Sequence, residues 1–128
     1  MHPPTITRAA PMGWRSWNCY HLNISDAKMR SVISAVVSKE RSDHAGTPTS
    51  LKDLGYARVG IDDGWQECGK GAAGTFHDKA GHPIVNTQRF PDMKGLVDSG
   101  HAQGLEMGWY ANNCVRNECT LLASLRRA

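Results

Sequence analysis

Residues 56–65 read YARVGIDDGW, a short apolar stretch that ends abruptly in two adjacent carboxylates. Residues 10–14 and 105–110 have the same design, since polar residues directly follow each short apolar stretch. A loop and then a helical pattern follow the first two stretches, and this alternation is typical of parallel strands joined by crossover helices. Three strands leave open edges, so the sequence predicts a piece of a larger α/β domain. A small three-stranded α/β domain is the alternative.

Two helical patterns each carry one apolar stripe. Ser25 is a suitable N-cap for the first, whose apolar residues recur at spacings of three and four. Those residues are Met29, Val32, Ile33, Val36 and Val37. Pro91 is predicted to open the second helix at its first position, and Gly104 to close it. Its buried stripe is predicted to comprise Met93, Leu96, Val97 and Gly100.

The connecting segments are polar or rich in glycine. Residues 41–50 are predicted to form a loop, and residues 51–54 a helical turn closed by Gly55. Residues 69–81 are predicted to form a loop or a small hairpin, and residues 121–128 have a composition that can start a further helix.

Composition and charge argue against several classes of protein. The 128 residues carry a scattered net charge of +3, so we expect no binding of nucleic acid. No apolar run is long enough to span a membrane, and the first residues lack the pattern of a secretory signal peptide. The four cysteines favour disulfides, and hence an oxidising compartment, with a zinc site as the alternative.

Candidate functional residues follow the ends of the predicted strands, which is where parallel α/β folds collect their ligands. These positions hold residues 14–17, the pair Asp62 and Asp63, and residues 109–110. Aromatic rings cover the apolar side of a sugar, and carboxylates accept hydrogen bonds from its hydroxyl groups. The combination therefore indicates a sugar-binding site.

Three interpretations of the Asp62–Asp63 pair are open from the residues alone. One carboxylate caps the next turn while the other is solvated. The pair binds a divalent cation together with further oxygen ligands. In the third, the pair clamps sugar hydroxyls. The acid and nucleophile of a retaining glycosidase lie about 5 Å apart, so adjacent residues of one strand are poor candidates for those roles.

The aromatic residues are expected to divide between core and site. Trp14 and Trp109 are predicted to lie in the core. Those expected at the site, beyond the strand ends, are Trp17, Trp65 and Tyr110. His101, in the second helix, is predicted to be a buried structural hydrogen-bonding residue.

Five sequence blocks stand out, in this order: PMGWRSWN at 11–18, DLGY at 53–56 with IDDGW at 61–65, RFP at 89–91, HAQG at 101–104 and GWY at 108–110. Together they resemble glycoside hydrolase family 27, the α-galactosidases. The resemblance implies an α/β fold that is the N-terminal part, about the first three β/α units, of a (β/α)8 TIM barrel. Residues 10–119 would form this partial barrel. Residues 1–9 would be an N-terminal extension, and residues 120–128 a tail that does not match the family.

The resemblance also implies roles for individual residues. Trp17 resembles the aromatic residue that lines the galactose subsite, and Tyr110 resembles another residue of that subsite. Asp62 and Asp63 resemble the pair that hydrogen-bonds the sugar hydroxyls. The implied partner is an α-galactoside sugar, whose terminal α-D-galactose the family removes with retention. No cofactor and no metal are implied.

Cysteine pairing is implied in the same way. Cys19 and Cys68 resemble the pair that joins the loops after the first and second strands. Cys119, or alternatively Cys114, resembles the family cysteine whose partner follows the fourth strand, so we expect that partner to be absent from this chain. Family members are often homodimers, and the family implies a secreted or a lysosome- or vacuole-like location.

The family's catalytic carboxylates have no counterpart among these residues. Its nucleophile is an aspartate in a Lys-x-Asp-x-Cys block on the fourth strand, its acid/base aspartate comes later, and the sequence contains no such block. We therefore expect no catalytic residue in this chain and no hydrolase activity from it alone. The alternatives are an α-N-acetylgalactosaminidase of the same family and a non-catalytic galactose-binding fragment.

Overall fold

The computed structural model describes residues 11–111 and residue 119. Its elements, in chain order, are β1 (Gly13–Arg15), α1 (Trp17–Tyr20), α2 (Asp26–Val37), β2 (Arg58–Ile61), α3 (Met93–Ala102) and β3 (Glu106–Trp109). The strands form one sheet in the order β1-β2-β3, and both pairings are parallel. The predicted α/β class with parallel strands is confirmed.

The central strand, β2, has one face in the core. Val59 and Ile61 are almost fully buried and belong to the same apolar cluster as residues of α2 and α3. Because side chains alternate along a strand, Arg58 and Gly60 belong to the opposite face. That face carries the ion pair between Arg58 Nε and Glu106 Oε2, which are 2.6 Å apart.

Helix α2 forms as its pattern predicts. The hydroxyl of Ser25 accepts a hydrogen bond from the backbone N–H of Lys28, so Ser25 is the N-cap. The buried residues of α2 are Met29, Ile33 and Val36, and Val32 and Val37 are partly buried against the core. No helix of the described residues has the length and apolar character that a membrane crossing needs.

Helix α3 begins two residues later than predicted. Pro91 is not its first residue, because the carboxylate of Asp92 accepts a hydrogen bond from the N–H of Gly95 and makes Asp92 the N-cap. Met93, Leu96 and Gly100 are buried as predicted. A Cβ at Gly100 would lie 2.4 Å from Met107 Sδ, so this glycine allows α3 to pack closely on β3.

The connecting segments are ordered by short-range contacts. Residues 51–55 form turns rather than a helix, and Gly55 has the positive φ of +94° that ends them. Antiparallel bridges join Gln66 to Val85 and His77 to Pro83, so the glycine-rich segment is a small, irregular hairpin. A 3₁₀ turn, Ala72–Gly74, lies within it.

The expected pairing of Cys19 with Cys68 is wrong. Cys68 forms a disulfide with Cys119, across a Cα–Cα distance of 5.3 Å, and Cys19 is a free, exposed thiol. Cys19 lies on the exposed surface of the single-turn helix α1, so its position in sequence did not determine where its side chain points. The partner of Cys119 is thus within this chain, whereas Cys114 lies outside the described residues.

Candidate functional site

The carboxyl ends of the three strands border an open cavity of about 410 Å³. Its lining residues are Arg15, Trp17, Asn18, Asp62, Asp63 and Tyr110. The four residues that the family resemblance implies for the sugar subsite, Trp17, Asp62, Asp63 and Tyr110, are all among them. These residues meet because parallel strands bring their carboxyl ends to one edge of the sheet. Trp17 and Tyr110, the first and last of them, are 93 residues apart in the sequence.

Asp62 is held from three directions. Its own backbone N–H donates to Ser16 Oγ at 2.8 Å. Its carboxylate accepts from Arg15 Nη1 at 3.2 Å and from the backbone N–H of Asp63 at 2.9 Å. The Asp62 side chain is only 10% exposed. The carboxylate is therefore oriented before any ligand arrives, with one oxygen on Arg15 and the other on the turn.

Asp63 has a different environment. Its Oδ1 accepts from the backbone N–H of Gly64 at 2.8 Å. Burial raises the pKa of the Asp63 carboxyl above its ordinary value of 3.8, the hydrogen bond from Gly64 partly offsets this, and the neighbouring charge of Asp62 raises it further. Asp62 is buried and Asp63 half-buried, so neither carboxylate is the solvated partner of a turn-capping pair.

The two aromatic residues of the cavity, Trp17 and Tyr110, are held in different ways. Trp17 opens α1 and remains 39% exposed, with one edge-on contact to the His21 ring at 5.2 Å between centroids. Tyr110 follows β3, and its backbone N–H donates to the carbonyl of Ile61 at 2.7 Å. Trp17 therefore presents an open aromatic face, whereas the backbone of Tyr110 is fixed to the end of β2.

Two tryptophan predictions and one histidine prediction are wrong. Trp65 is 3% exposed and lies in the core, where its Nε1 donates to the carbonyl of Tyr110 at 3.1 Å. Trp109, expected in the core, is 43% exposed because β3 is an edge strand of the described sheet and leaves this side chain uncovered. Trp14, as expected, packs against the core. His101 is exposed on the outer side of α3, not buried.

Two of the six cavity residues, Arg15 and Asn18, were not among the residues to which the sequence analysis gave a role in sugar binding. Arg15 could have been found from the alternation along β1, because Trp14 packs on the core and its neighbour must then lie on the opposite face. Asn18 carries no comparable signal, since its position depends on the turn of chain that α1 makes after the strand. Together they add hydrogen-bond donors to a site that otherwise offers carboxylates.

A second set of contacts fixes the loops behind the cavity. Arg89 Nη1 donates to the carbonyl of Leu22 at 2.6 Å and to the carbonyl of Gly64 at 3.1 Å. The segment after α1 and the segment after β2 are thereby joined through one guanidinium group. Within residues 11–111 and 119, no three His, Cys, Asp or Glu side chains are grouped so as to hold a metal ion.

These features define an α/β protein with a polar and aromatic ligand site at the carboxyl edge of its sheet. A family model described as alpha galactosidase A matches residues 9–125. The chain belongs to this alpha-galactosidase family.

Individual relatives agree with the family assignment. An alpha-galactosidase of Oryza sativa subsp. japonica is 35% identical over 108 residues, which are 84% of this chain and 22% of that protein. An alpha-galactosidase of Cyamopsis tetragonoloba is 33% identical over 108 residues, again 84% and 22%. The chain thus spans about a fifth of the length of these relatives.

Solved structures share the fold. Alpha-galactosidase I from Mortierella vinacea superposes with a TM-score of 0.60 at 32% identity, covering 78% of this chain and 21% of that one. An alpha-galactosidase from Saccharomyces cerevisiae superposes with a TM-score of 0.55 at 25% identity, covering 78% and 18%. In both cases the likeness extends over 78% of this chain.

Proposed function

We propose that this chain carries the sugar-recognition half of an α-galactosidase site and binds a terminal α-galactosyl group in the cavity at the edge of its sheet. Trp17 covers the apolar face of the ring, Asp62 and Asp63 accept hydrogen bonds from its hydroxyls, and Tyr110 closes the cavity beside β3. The observation that carries the proposal is that these four side chains line one cavity of about 410 Å³.

The chemistry of the cavity supports a neutral, hydroxyl-rich ligand. Carboxylates accept two hydrogen bonds per oxygen, and adjacent sugar hydroxyls match that capacity. An exposed indole next to fixed carboxylates suits the apolar C–H face of a pyranose. A metal site is less well supported, because Asp62 already engages Arg15 at 3.2 Å and a hard cation needs six or more oxygen ligands.

The same proposal covers the fold. The three parallel strands correspond to about the first three β/α units of a (β/α)8 barrel, whose ligands bind at the carboxyl ends of the strands. The proposed partial barrel comprises residues 10–119, of which the structure describes residues 11–111 and 119. The face of the sheet that bears Arg58 and Glu106 is then the barrel interior.

Asp62 and Asp63 are not proposed as the two carboxylates that catalyse the family's hydrolysis reaction. A retaining glycosidase needs an acid and a nucleophile on opposite sides of the scissile bond, about 5 Å apart. Asp62 and Asp63 are consecutive, and Asp62 is committed to Arg15 and to the turn. They therefore bind the sugar rather than cleave the glycosidic bond, and this chain alone has no hydrolase activity. An α-N-acetylgalactosaminidase would use the same four residues.

Calorimetric titration of the 128-residue chain with D-galactose, and separately with N-acetylgalactosamine, tests the proposal. Asp62→Asn should weaken binding by at least about tenfold, because a hydrogen bond to a charged group contributes about 1.5–3 kcal/mol. Asp98→Asn, in an exposed carboxylate on α3, is the matched control and should leave affinity unchanged. A folded wild-type chain that binds neither sugar would overturn the proposal, as would an Asp62→Asn variant with unchanged affinity.

A further inference from the structure

Arg15 is the cationic side chain among the residues that line the candidate site. Its side chain is 56% exposed, and Nη1 makes a 3.2 Å hydrogen bond to Asp62 Oδ2. A guanidinium carries five N–H donors in one plane, so this contact leaves most of its donor capacity unused. Resting on the sugar-binding function proposed above, we propose that Arg15 is a further sugar-contacting residue, whose guanidinium donates hydrogen bonds to the hydroxyl oxygens of the bound galactosyl group.

The neighbouring strand β2 allows the side chain of Arg15 to extend to the cavity. Arg15 is paired in register with Gly60 of β2. A Cβ built at Gly60 would lie 3.5 Å from Arg15 Nε and 3.6 Å from its Cζ, so the guanidinium lies across the part of β2 that has no side chain. From there the guanidinium of Arg15 reaches Asp62, which lies two residues after Gly60. The absence of a side chain at Gly60 and the acceptor at Asp62 together direct Arg15 to the carboxyl edge.

Arg15 is proposed as a sugar-contacting residue because it donates hydrogen bonds, whereas Asp62 and Asp63 accept them. An ionised carboxylate only accepts, so Asp62 and Asp63 use the protons of the sugar hydroxyls and leave the lone pairs of the hydroxyl oxygens without donors. A guanidinium only donates, and its hydrogen bonds are charge-assisted. Arg15 therefore supplies what the two carboxylates lack, and its contact with Asp62 holds both groups in the plane where one ligand can meet them.

Arg58 offers a matched comparison on the same face of the sheet. It is similarly exposed, at 51% of its side chain, but Nε pairs with Glu106 Oε2 at 2.6 Å. It lies at the start of β2 and is not among the residues that line the candidate site. Loss of Arg58 thus removes one positive charge and one ion pair from the same face without removing a donor from the cavity.

The test compares galactose binding by the wild-type chain and by Arg15→Met, Arg15→Lys and Arg58→Met, with circular dichroism as the check on folding. We expect Arg15→Met to weaken binding by about tenfold or more, Arg15→Lys to retain part of the affinity, and Arg58→Met to stay within about twofold of wild type. Wild-type binding that Arg15→Met leaves within about twofold would overturn this inference while the proposed function stands. A wild-type chain that does not bind galactose overturns both.

A second readout keeps the inference testable if Arg15→Met does not fold. In the ¹⁵N spectrum of the wild-type chain, the side-chain Nε–Hε signal of Arg15 is assigned by its loss in Arg15→Lys. Addition of galactose should shift this signal, because a new acceptor enters the plane of the guanidinium, and should leave the signal of Arg58 in position. A saturating galactose concentration that shifts neither signal would contradict direct contact.

Discussion

The hydroxyl of Ser16, which is fully buried, accepts a hydrogen bond from the backbone N–H of Asp62 at 2.8 Å. The backbone N–H of Ser16 in turn donates to the carbonyl of Gly60 at 3.1 Å. These two bonds join the end of β1 to the end of β2 at the point where both strands enter the candidate site. The backbone at Trp17 and the backbone that carries the two carboxylates are thereby held in fixed relative positions.

Ser16→Ala should therefore destabilise the chain. It leaves the buried N–H of Asp62 without its acceptor, which costs about 1–3 kcal/mol in the free energy of unfolding. Urea denaturation followed by tryptophan fluorescence measures the change. Ser42→Ala, in the exposed loop after α2, is the control and should stay within about 0.5 kcal/mol of wild type. Equal midpoints for wild type and Ser16→Ala would show that the bond does not hold the two strand ends together.

Gly64→Ala should destabilise the turn that carries the carboxylates. Gly64 has a φ of +105°, and a Cβ there would lie 2.8 Å from the carbonyl oxygen of Leu22. Backbone strain of this kind costs about 1–3 kcal/mol, and a backbone atom cannot yield as a side chain does. Gly108→Ala is the matched control, because a Cβ there has no atom of the described residues within 4 Å. Thermal melts in which Gly64→Ala and Gly108→Ala unfold at the same temperature would contradict this account of the turn.

The raised pKa of Asp63 makes the free energy of unfolding depend on pH. Because burial raises this pKa above 3.8, the folded state holds the proton more tightly than the unfolded state does. The stability that this proton provides is present below pH 3.8 and is lost as the pH rises through the folded-state pKa. Asp63→Asn, which retains the acceptor for Gly64, should therefore raise the free energy of unfolding relative to wild type at pH 7 and lower the affinity for galactose.

The comparison of wild type and Asp63→Asn in urea at several pH values measures that dependence. The difference in stability should shrink towards acid pH, where the wild-type carboxyl is protonated. An Asp63→Asn variant that is less stable than wild type at pH 7 would mean that the ionised carboxylate stabilises the fold, contrary to the direction inferred from its burial.

The disulfide between Cys68 and Cys119 predicts which tryptic peptides are linked, and mass spectrometry measures this. Trypsin separates the four cysteines, since Cys19, Cys68, Cys114 and Cys119 fall on peptides 16–28, 59–70, 95–116 and 117–126. Without reduction, peptides 59–70 and 117–126 should appear as one linked species, and iodoacetamide should label Cys19 in the intact chain. The reduced digest is the control. A linked species of 16–28 and 59–70 would restore the pairing that the sequence suggested.

Much of the fold was predictable because it follows from local pattern. The apolar spacing of Met29, Ile33 and Val36 identified α2, and the turn chemistry of Ser25 located its start. The site was predictable for a topological reason. Once the strands are parallel, Trp17, Asp62 and Tyr110 must lie at one edge, whatever the length of the chain between them.

The errors concern properties that only packing in three dimensions decides. Trp65 and Trp109 both follow or end an apolar stretch, yet one is in the core and the other is exposed on an edge strand. Cys19 lies in α1 with an exposed side chain, and Cys68, in the segment after β2, pairs with Cys119 instead. Arg15 was overlooked because its role depends on the empty space above Gly60 in the neighbouring strand.

The claim at the centre of this account is that the cavity at the carboxyl edge recognises an α-galactosyl group. Titration of the 128-residue chain with methyl α-D-galactoside and with its C4 epimer, methyl α-D-glucoside, followed by tryptophan fluorescence and calorimetry, tests it most directly. We predict saturable binding of the galactoside, with the glucoside weaker by about tenfold or more, since misplacing one hydroxyl forfeits a charge-assisted hydrogen bond. A folded chain that binds neither sugar, or both equally, would contradict the claim.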